Sequence, residues 1–156
     1  MNSLFTAIYN LFQPTRITEA GDTRITEAGD ILFTNKDDIY TDLSGRMYLK
    51  HAPQQATFPY CVYFSVSDED ELDFSEEREH FLIQFNIFSQ NNSATEAGEL
   101  LESAKTMFDN CSLTVTGWRH LQFKRGMVYS NDDFEQVPPI HGYSIEYDVI
   151  LEKTRS

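Results

Sequence analysis

A chain of 156 residues, 40% of them hydrophobic, has enough apolar material for one core, so a single domain over 1–156 is the expectation. Its 12 Lys and Arg stand against 25 Asp and Glu, and a formal net charge of -13 excludes the nucleic-acid reader that gains affinity by releasing counterions from polyphosphate. The same charge suits a surface that DNA slides past without adhering.

The chain opens with MNSLFTAIYNLFQP, which lacks the basic region and small-residue cleavage site of a secretory signal. No apolar run reaches the roughly 18 residues that a membrane span needs. A soluble protein made in the cytoplasm is expected. Leu4, Ile8, Leu11 and Phe12 recur at helical spacing behind Ser3 as N-cap, and Pro14 ends the pattern, so a short amphipathic helix is predicted over 3–12.

Residues 15–30 are the word TRITEAGD written twice. A solenoid needs about three or more stacked units, so two short words exclude a repeat fold. Within each word the TRITE stretch sets polar residues around one isoleucine, and AGD supplies a turn. The pair is predicted to form a β-hairpin with Gly21 at its turn, inserted into the domain. Two strands alone are marginal in water, so such a hairpin must lean on its own sheet or on a neighbouring subunit. Arg16, Ile17, Arg24 and Ile25 are the candidate inter-subunit contacts of this arm; a flexible insertion is the other reading.

After the repeat, NKDDIYTDLSG reads as a helical turn closed by Gly45, and RMYLK at 46–50 as a brief strand. HAPQQATFP is an irregular connection. In YCVYFSVS at 60–67, Tyr60, Val62, Phe64 and Val66 alternate as the large apolar face of a strand. HFLIQFNIFS at 80–89 sets Phe81, Ile83, Phe85 and Ile87 against His80, Gln84 and Asn86, the one-sided pattern of an antiparallel sheet. A helix from about 93 to 109 is capped by Ser93 or Thr95, carries Glu96 and Glu99 in its first turns, and buries Ala97, Leu100, Leu101, Ala104, Met107 and Phe108. Strands at 120–130 and 142–152 follow, the second with Tyr143, Ile145, Tyr147, Val149 and Leu151 on one face. This order predicts an α+β fold: a mostly antiparallel sheet with two main helices packed on one face, plus the inserted hairpin or arm.

Signals of chemistry are weak. His51, His80, His120 and His141 lack zinc spacing, and strand residues His80 and His120 read as ordinary surface or edge positions; the alternative is that those two face each other as a metal or acid-base pair. Cys61 and Cys111 have no CxxC partner and read as buried free thiols of a reducing compartment. No nucleophile elbow, zinc-protease motif or phosphate-binding glycine loop occurs, so no catalytic residue, cofactor or metal is assigned.

The run DEDELDFSEERE at 68–79 holds eight acids and one arginine. It fails as a calcium loop, because Asp73 stands where the turn requires glycine and Leu72 occupies a ligand position. It reads as a solvated hairpin loop, or as an electronegative patch at Asp68, Glu69, Asp70, Glu71 and Asp73 that lines a lumen or meets a basic partner. A second acidic loop, 131–141, carries Phe134, Val137, Pro138, Pro139 and Ile140, an apolar tip suited to contact with a ring neighbour or a tube.

LSGRMYLKHAPQQATFPYCVY at 43–63 resembles the pattern of the tail-completion, or head-tail joining, proteins of long-tailed bacteriophages and prophages. Gly45, Arg46, Tyr48, Ala52, Pro53, Pro59 and Tyr60 match it, and FLIQFNIFSQNNSATEAGELLESAKTMFDN looks like that family's strand, linker and helix. The likeness covers most of 1–14 and 43–152 and leaves the repeat outside. It implies a tail-terminator-like α+β virion subunit, not an enzyme, assembled in the host cytoplasm into a ring, expected to be hexameric, at the head-proximal end of the tail. Its implied partners are further copies, the tail tube protein and the head-tail connector or adaptor, with DNA passing through unbound. A tail-tube or baseplate ring component is the rival in the same setting. A small enzyme or an acidic DNA-mimicking inhibitor is the rival from another class; acids clustered in loops, rather than spread at phosphate-like intervals, favour assembly.

Overall fold

The computed structural model describes residues 2–12, 18–19, 22–23, 39–72 and 77–154. In chain order its elements are α1 (Asn2–Phe12), β1 (Thr18–Glu19), β2 (Asp22–Thr23), α2 (Ile39–Asp42), β3 (Met47–Leu49), β4 (Tyr60–Leu72), β5 (Glu77–Gln90), α3 (Thr95–Phe108), β6 (Trp118–Ser130) and β7 (Ile140–Lys153). The main sheet has the order β3-β4-β5-β7-β6, antiparallel throughout except for the parallel β3–β4 pair. The fold is α+β, as the element order predicts.

Strand period selects the core face. Phe81, Ile83, Phe85 and Ile87 of β5 and Ile145, Tyr147, Val149 and Leu151 of β7 are buried on one side of the sheet. Helices α1 and α3 close over that side through Leu4, Phe5 and Ile8 and through Leu100, Leu101, Ala104 and Phe108, with Ile39 and Leu43 beside them. Phe85 is the hub: its ring stacks on Phe108 at 4.4 Å and on Tyr63 at 5.7 Å, and meets Tyr147 edge-on at 5.8 Å. The Tyr147 hydroxyl donates to Asp109 Oδ1 at 2.8 Å, and Arg125 Nη1 lies 3.4 Å from Asp109 Oδ2, so the end of α3 is tied to β7 and β6 by one carboxylate.

The helix over 95–108 buries the predicted stripe, with Met107 half-buried. Ala94 is its N-cap residue and makes no side-chain cap; Ser93 Oγ instead accepts from the Thr95 amide at 3.2 Å. Gly45, at φ 77°, takes the left-handed conformation that ends the α2 turn, where a Cβ is strained.

In β4 Tyr60, Val62 and Phe64 share a face as read from sequence, with Val62 buried there, but that face is the outer one and not the one that packs under the helices. Cys61 and Tyr63 pair with Ile87 and Phe85 and face the core, whereas Tyr60, Val62 and Phe64 pair with Phe88, Asn86 and Gln84 on the outer face. A bulge between Ser65 and Ser67 then displaces Val66, which is 49% exposed. YCVYFSV is apolar at consecutive positions, so period alone does not choose a face; pairing with β5 does.

The acidic run is also corrected. Asp68–Leu72 belongs to β4 and Glu77–Glu79 to β5, paired residue for residue, so most of the run is strand rather than loop. Asp73 lies outside the described residues. In the repeat, Thr18 pairs with Thr23 and Glu19 with Asp22 in a two-stranded sheet of its own, a hairpin at the junction of the two words. Gly21, Arg16, Ile17, Arg24 and Ile25 lie outside the described residues.

Candidate assembly interface

Among the described residues no group of three or more His, Cys, Asp or Glu converges to hold a metal ion, and no helix is long and apolar enough to cross a membrane. A cleft of about 920 Å³ runs between Asp42, Arg46 and the Glu96–Glu102 side of α3. Ser103 Oγ donates there to Asp42 Oδ2 at 2.7 Å, but no histidine or cysteine lines the cleft to serve as base or thiol nucleophile.

His80 and His120 do not meet. His80 pairs with Ile150 and His120 with Leu151, adjacent positions of β7, so the two rings lie on opposite faces of the sheet. His80 Nε2 is 3.2 Å from Asp148 Oδ1 on the outer face. His120 lies toward the core beside Phe123, and its Nε2 is buried without a hydrogen-bond partner. Burial lowers its pKa below the ordinary 6.5, partly offset by a hydrogen bond that the ring donates to the Gln122 backbone carbonyl. Because the unfolded chain then binds the proton more readily, His120 contributes stability that is full above pH about 6.5 and is lost as pH falls toward the folded-state pKa. The Tm is expected to drop on acidification from neutrality, and His120→Leu should flatten part of that drop. Identical pH profiles for the two proteins, followed by circular dichroism, would exclude this role. Cys61 and Cys111 are free; burial pushes the Cys111 thiol up to about 12 and raises that of Cys61 as well, so neither is a poised nucleophile.

The GR-aromatic and PY elements of 43–63 form one structural lock. Arg46 Nε donates to the Pro59 carbonyl at 2.8 Å, the Cys61 amide donates to the Arg46 carbonyl at 2.9 Å, and the Tyr48 and Tyr60 rings lie 6.2 Å apart. These contacts hold β3 parallel to β4 across the irregular connection. On the outer face, Phe58 and Phe88 flank Tyr60 at 5.1 and 5.3 Å. Ser144 Oγ and Gln84 Nε2 both donate to Asn86 Oδ1 at 2.7 Å, and Glu152 lies between Arg78 and Arg119.

Among the described residues, the loop after β6 presents the most exposed large apolar groups: Phe134 at 71% and Val137 at 93%. Its base is braced. The Asn131 amide donates to the Gly142 carbonyl, Asp133 and Ile140 exchange backbone hydrogen bonds, Gly142 N–H donates to Asp132 Oδ1, and Gln90 Nε2 donates to the Pro138 carbonyl at 3.1 Å. Gly142 admits this closure because a Cβ there would overlap the Asn131 carbonyl oxygen. Phe134 meets His141 edge-on at 5.9 Å. Of the predicted tip, Val137 and Pro138 are exposed, Pro139 is half-buried, and Ile140 is half-buried because it begins β7. Asp68 and Glu69 are exposed on β4; Asp70 and Glu71 follow them in the same strand. Two features were missed from sequence: the exposed Met127, Val128 and Tyr129 of β6, and the free outer edge of that strand. Alternation within β6 gives no sign of either, because edge position is a property of the whole sheet.

A sheet covered by helices on one face, with braced apolar and charged edges and no reactive constellation among the described residues, defines an α+β protein whose distinctive surfaces are suited to contact. No family model matches the chain, and no curated protein does. Its fold is similar to that of a chain in a solved structure described as the virion of a native gene transfer agent (GTA) particle. The TM-score is 0.60 at 8% identity, over 78% of this chain and 88% of that one.

Proposed function

We propose that the chain is a structural virion protein of a phage-like particle, a single functional unit carrying residues 15–30 as an insertion. It forms a ring, hexameric by the resemblance of its 43–63 segment to tail-completion proteins, that ends the tail at its head-proximal side and joins it to the head connector. The observation that carries this reading is the fold likeness to a chain of a gene transfer agent virion. Its partners are further copies, the tail tube protein and the connector, and it performs no catalysis. The net charge of -13 supports passage of DNA without capture. The braced Phe134 and Val137 tip supplies an apolar contact whose ordering cost is already met in the free subunit. The repeat hairpin acts as an arm to a neighbouring subunit.

Electron micrographs of particles labelled on this subunit test the assignment. Label at the neck supports it, label at the distal tip replaces it with a baseplate role, and unlabelled particles overturn it. The purified protein should also fail to retard duplex DNA. Deleting residues 15–30 should weaken assembly; intact assembly would make the repeat a passive insertion.

A further inference from the structure

We infer that the two opposite edges of the main sheet form the joint between successive copies, with β6 of one copy set against β4 and β3 of the next. This inference rests on the ring reading above. Charge complementarity within one chain points to it. β6 carries Arg119, Lys124 and Arg125 and no acid, in a protein of net charge -13, while the outer half of β4 carries Asp68, Glu69, Asp70 and Glu71 and no base. Lys124 on one edge, and Asp68 and Glu69 on the other, have no ion partner among the described residues.

Register places Lys124 and Asp68 in adjacent rows at the same end of the sheet. Ser67, Leu82, Asp148 and Lys124 form one row across the sheet; Asp68, Phe81, Val149 and Phe123 form the next; and Glu71, Arg78, Glu152 and Arg119 form another. Farther along, Leu49, Tyr63, Phe85, Ile145 and Val128 share a row. Each edge therefore runs from an apolar end to a charged end in the same order. Exposed Met127, Val128 and Tyr129 lie on β6, opposite the level of exposed Leu49 and of an apolar groove between α1 and β3 lined by Phe5, Met47 and Leu49.

Patches at the same height on two different faces are what a closed ring requires. With strands along the ring axis, a rotation brings the edges together level, whereas patches at different heights add a rise and wind a filament. The direction of the strands agrees: β6 runs antiparallel to β4, so the neighbour continues the alternation. Bulges at Ser65/Ser67 and Arg125/Val128 blunt backbone pairing along both edges. β3 stands one strand outside β4, so contact at β3 leaves the charged rows about two strand spacings, roughly 10 Å, apart. That distance suits ion pairs between long side chains, and electrostatics then sets orientation and excludes pairing of like edges.

Sedimentation velocity of the full chain tests the joint. Lys124→Glu alone and Asp68→Lys/Glu69→Lys alone should each weaken self-association by about tenfold or more at low salt, with unchanged circular dichroism, because each sets like charges together. An equal mixture of the two variants should recover the wild-type assembly, since every joint in an alternating ring then pairs opposite charges. Variants that assemble like wild type, or a mixture that does not recover, overturn the joint while leaving the ring standing. Wild-type protein that stays monomeric, alone and with tail tubes, overturns the ring and this joint together.

Discussion

Phe85→Ala is expected to lower the unfolding free energy by about 3–5 kcal/mol, the range for emptying a buried phenylalanine site. Phe85 is fully buried, and its ring contacts Phe108 from α3, Tyr63 from β4 and Tyr147 from β7, so the change removes one ring from three aromatic contacts at once. These neighbours are held by other constraints. Tyr147 is bound to Asp109, and Tyr63 is paired on both sides in the sheet, so collapse into the cavity is restricted. Urea unfolding followed through the single tryptophan, Trp118, which packs against the core, reads the loss directly. A loss below about 1 kcal/mol would mean that this aromatic stack is not what joins α3 to the sheet.

Val137→Asp is expected to do the reverse, leaving stability within about 0.5 kcal/mol of wild type while weakening assembly by tenfold or more. Val137 is 93% exposed, so the folded subunit loses almost no packing. In an interface, however, an unpaired carboxylate replaces an apolar group and must give up its water. The loop is already braced through Asp133, Ile140 and the Pro138 carbonyl, so the substitution changes the chemistry of the tip rather than its order. Binding of the purified variant to tail tubes, with its Tm measured alongside, separates the two effects. Wild-type binding would remove Val137 from the contact surface; a lowered Tm would give it a structural role instead.

The two predictions divide along the line that separates readable from unreadable sequence. β5, β7 and α3 were legible because each buries one face against a polar opposite face, and a single period then gives both element and orientation. β4 was legible as a strand but not in its orientation: Tyr60 through Val66 is apolar at almost every position, and cross-strand pairing with Phe85 and Ile87 selects Cys61 and Tyr63 for the core. The acids of 68–79 suggested a solvated loop, since charge density is a local signal of exposure. Exposure and strand are compatible, however, when the partner strand supplies the hydrogen bonds, as β5 does from Arg78 to Phe81.

The candidate surfaces divide in the same way. Phe134 and Val137 stand out as apolar residues in an acidic, proline-containing loop, a mismatch visible in one dimension. Lys124, Asp68 and their adjacent rows do not, because they are 56 residues apart in sequence and are related only through two intervening strands. Taken alone, the sequence determined the α+β class, the core residues of the strongly periodic elements, the acidic balance and the lack of a catalytic motif, all of which follow from composition and short-range period. Tertiary structure alone decided the strand order, the face that β4 buries, the opposite sides taken by His80 and His120, and the level alignment of an acidic edge with a basic one. Those are outcomes of long-range backbone pairing, which no local pattern of side chains encodes.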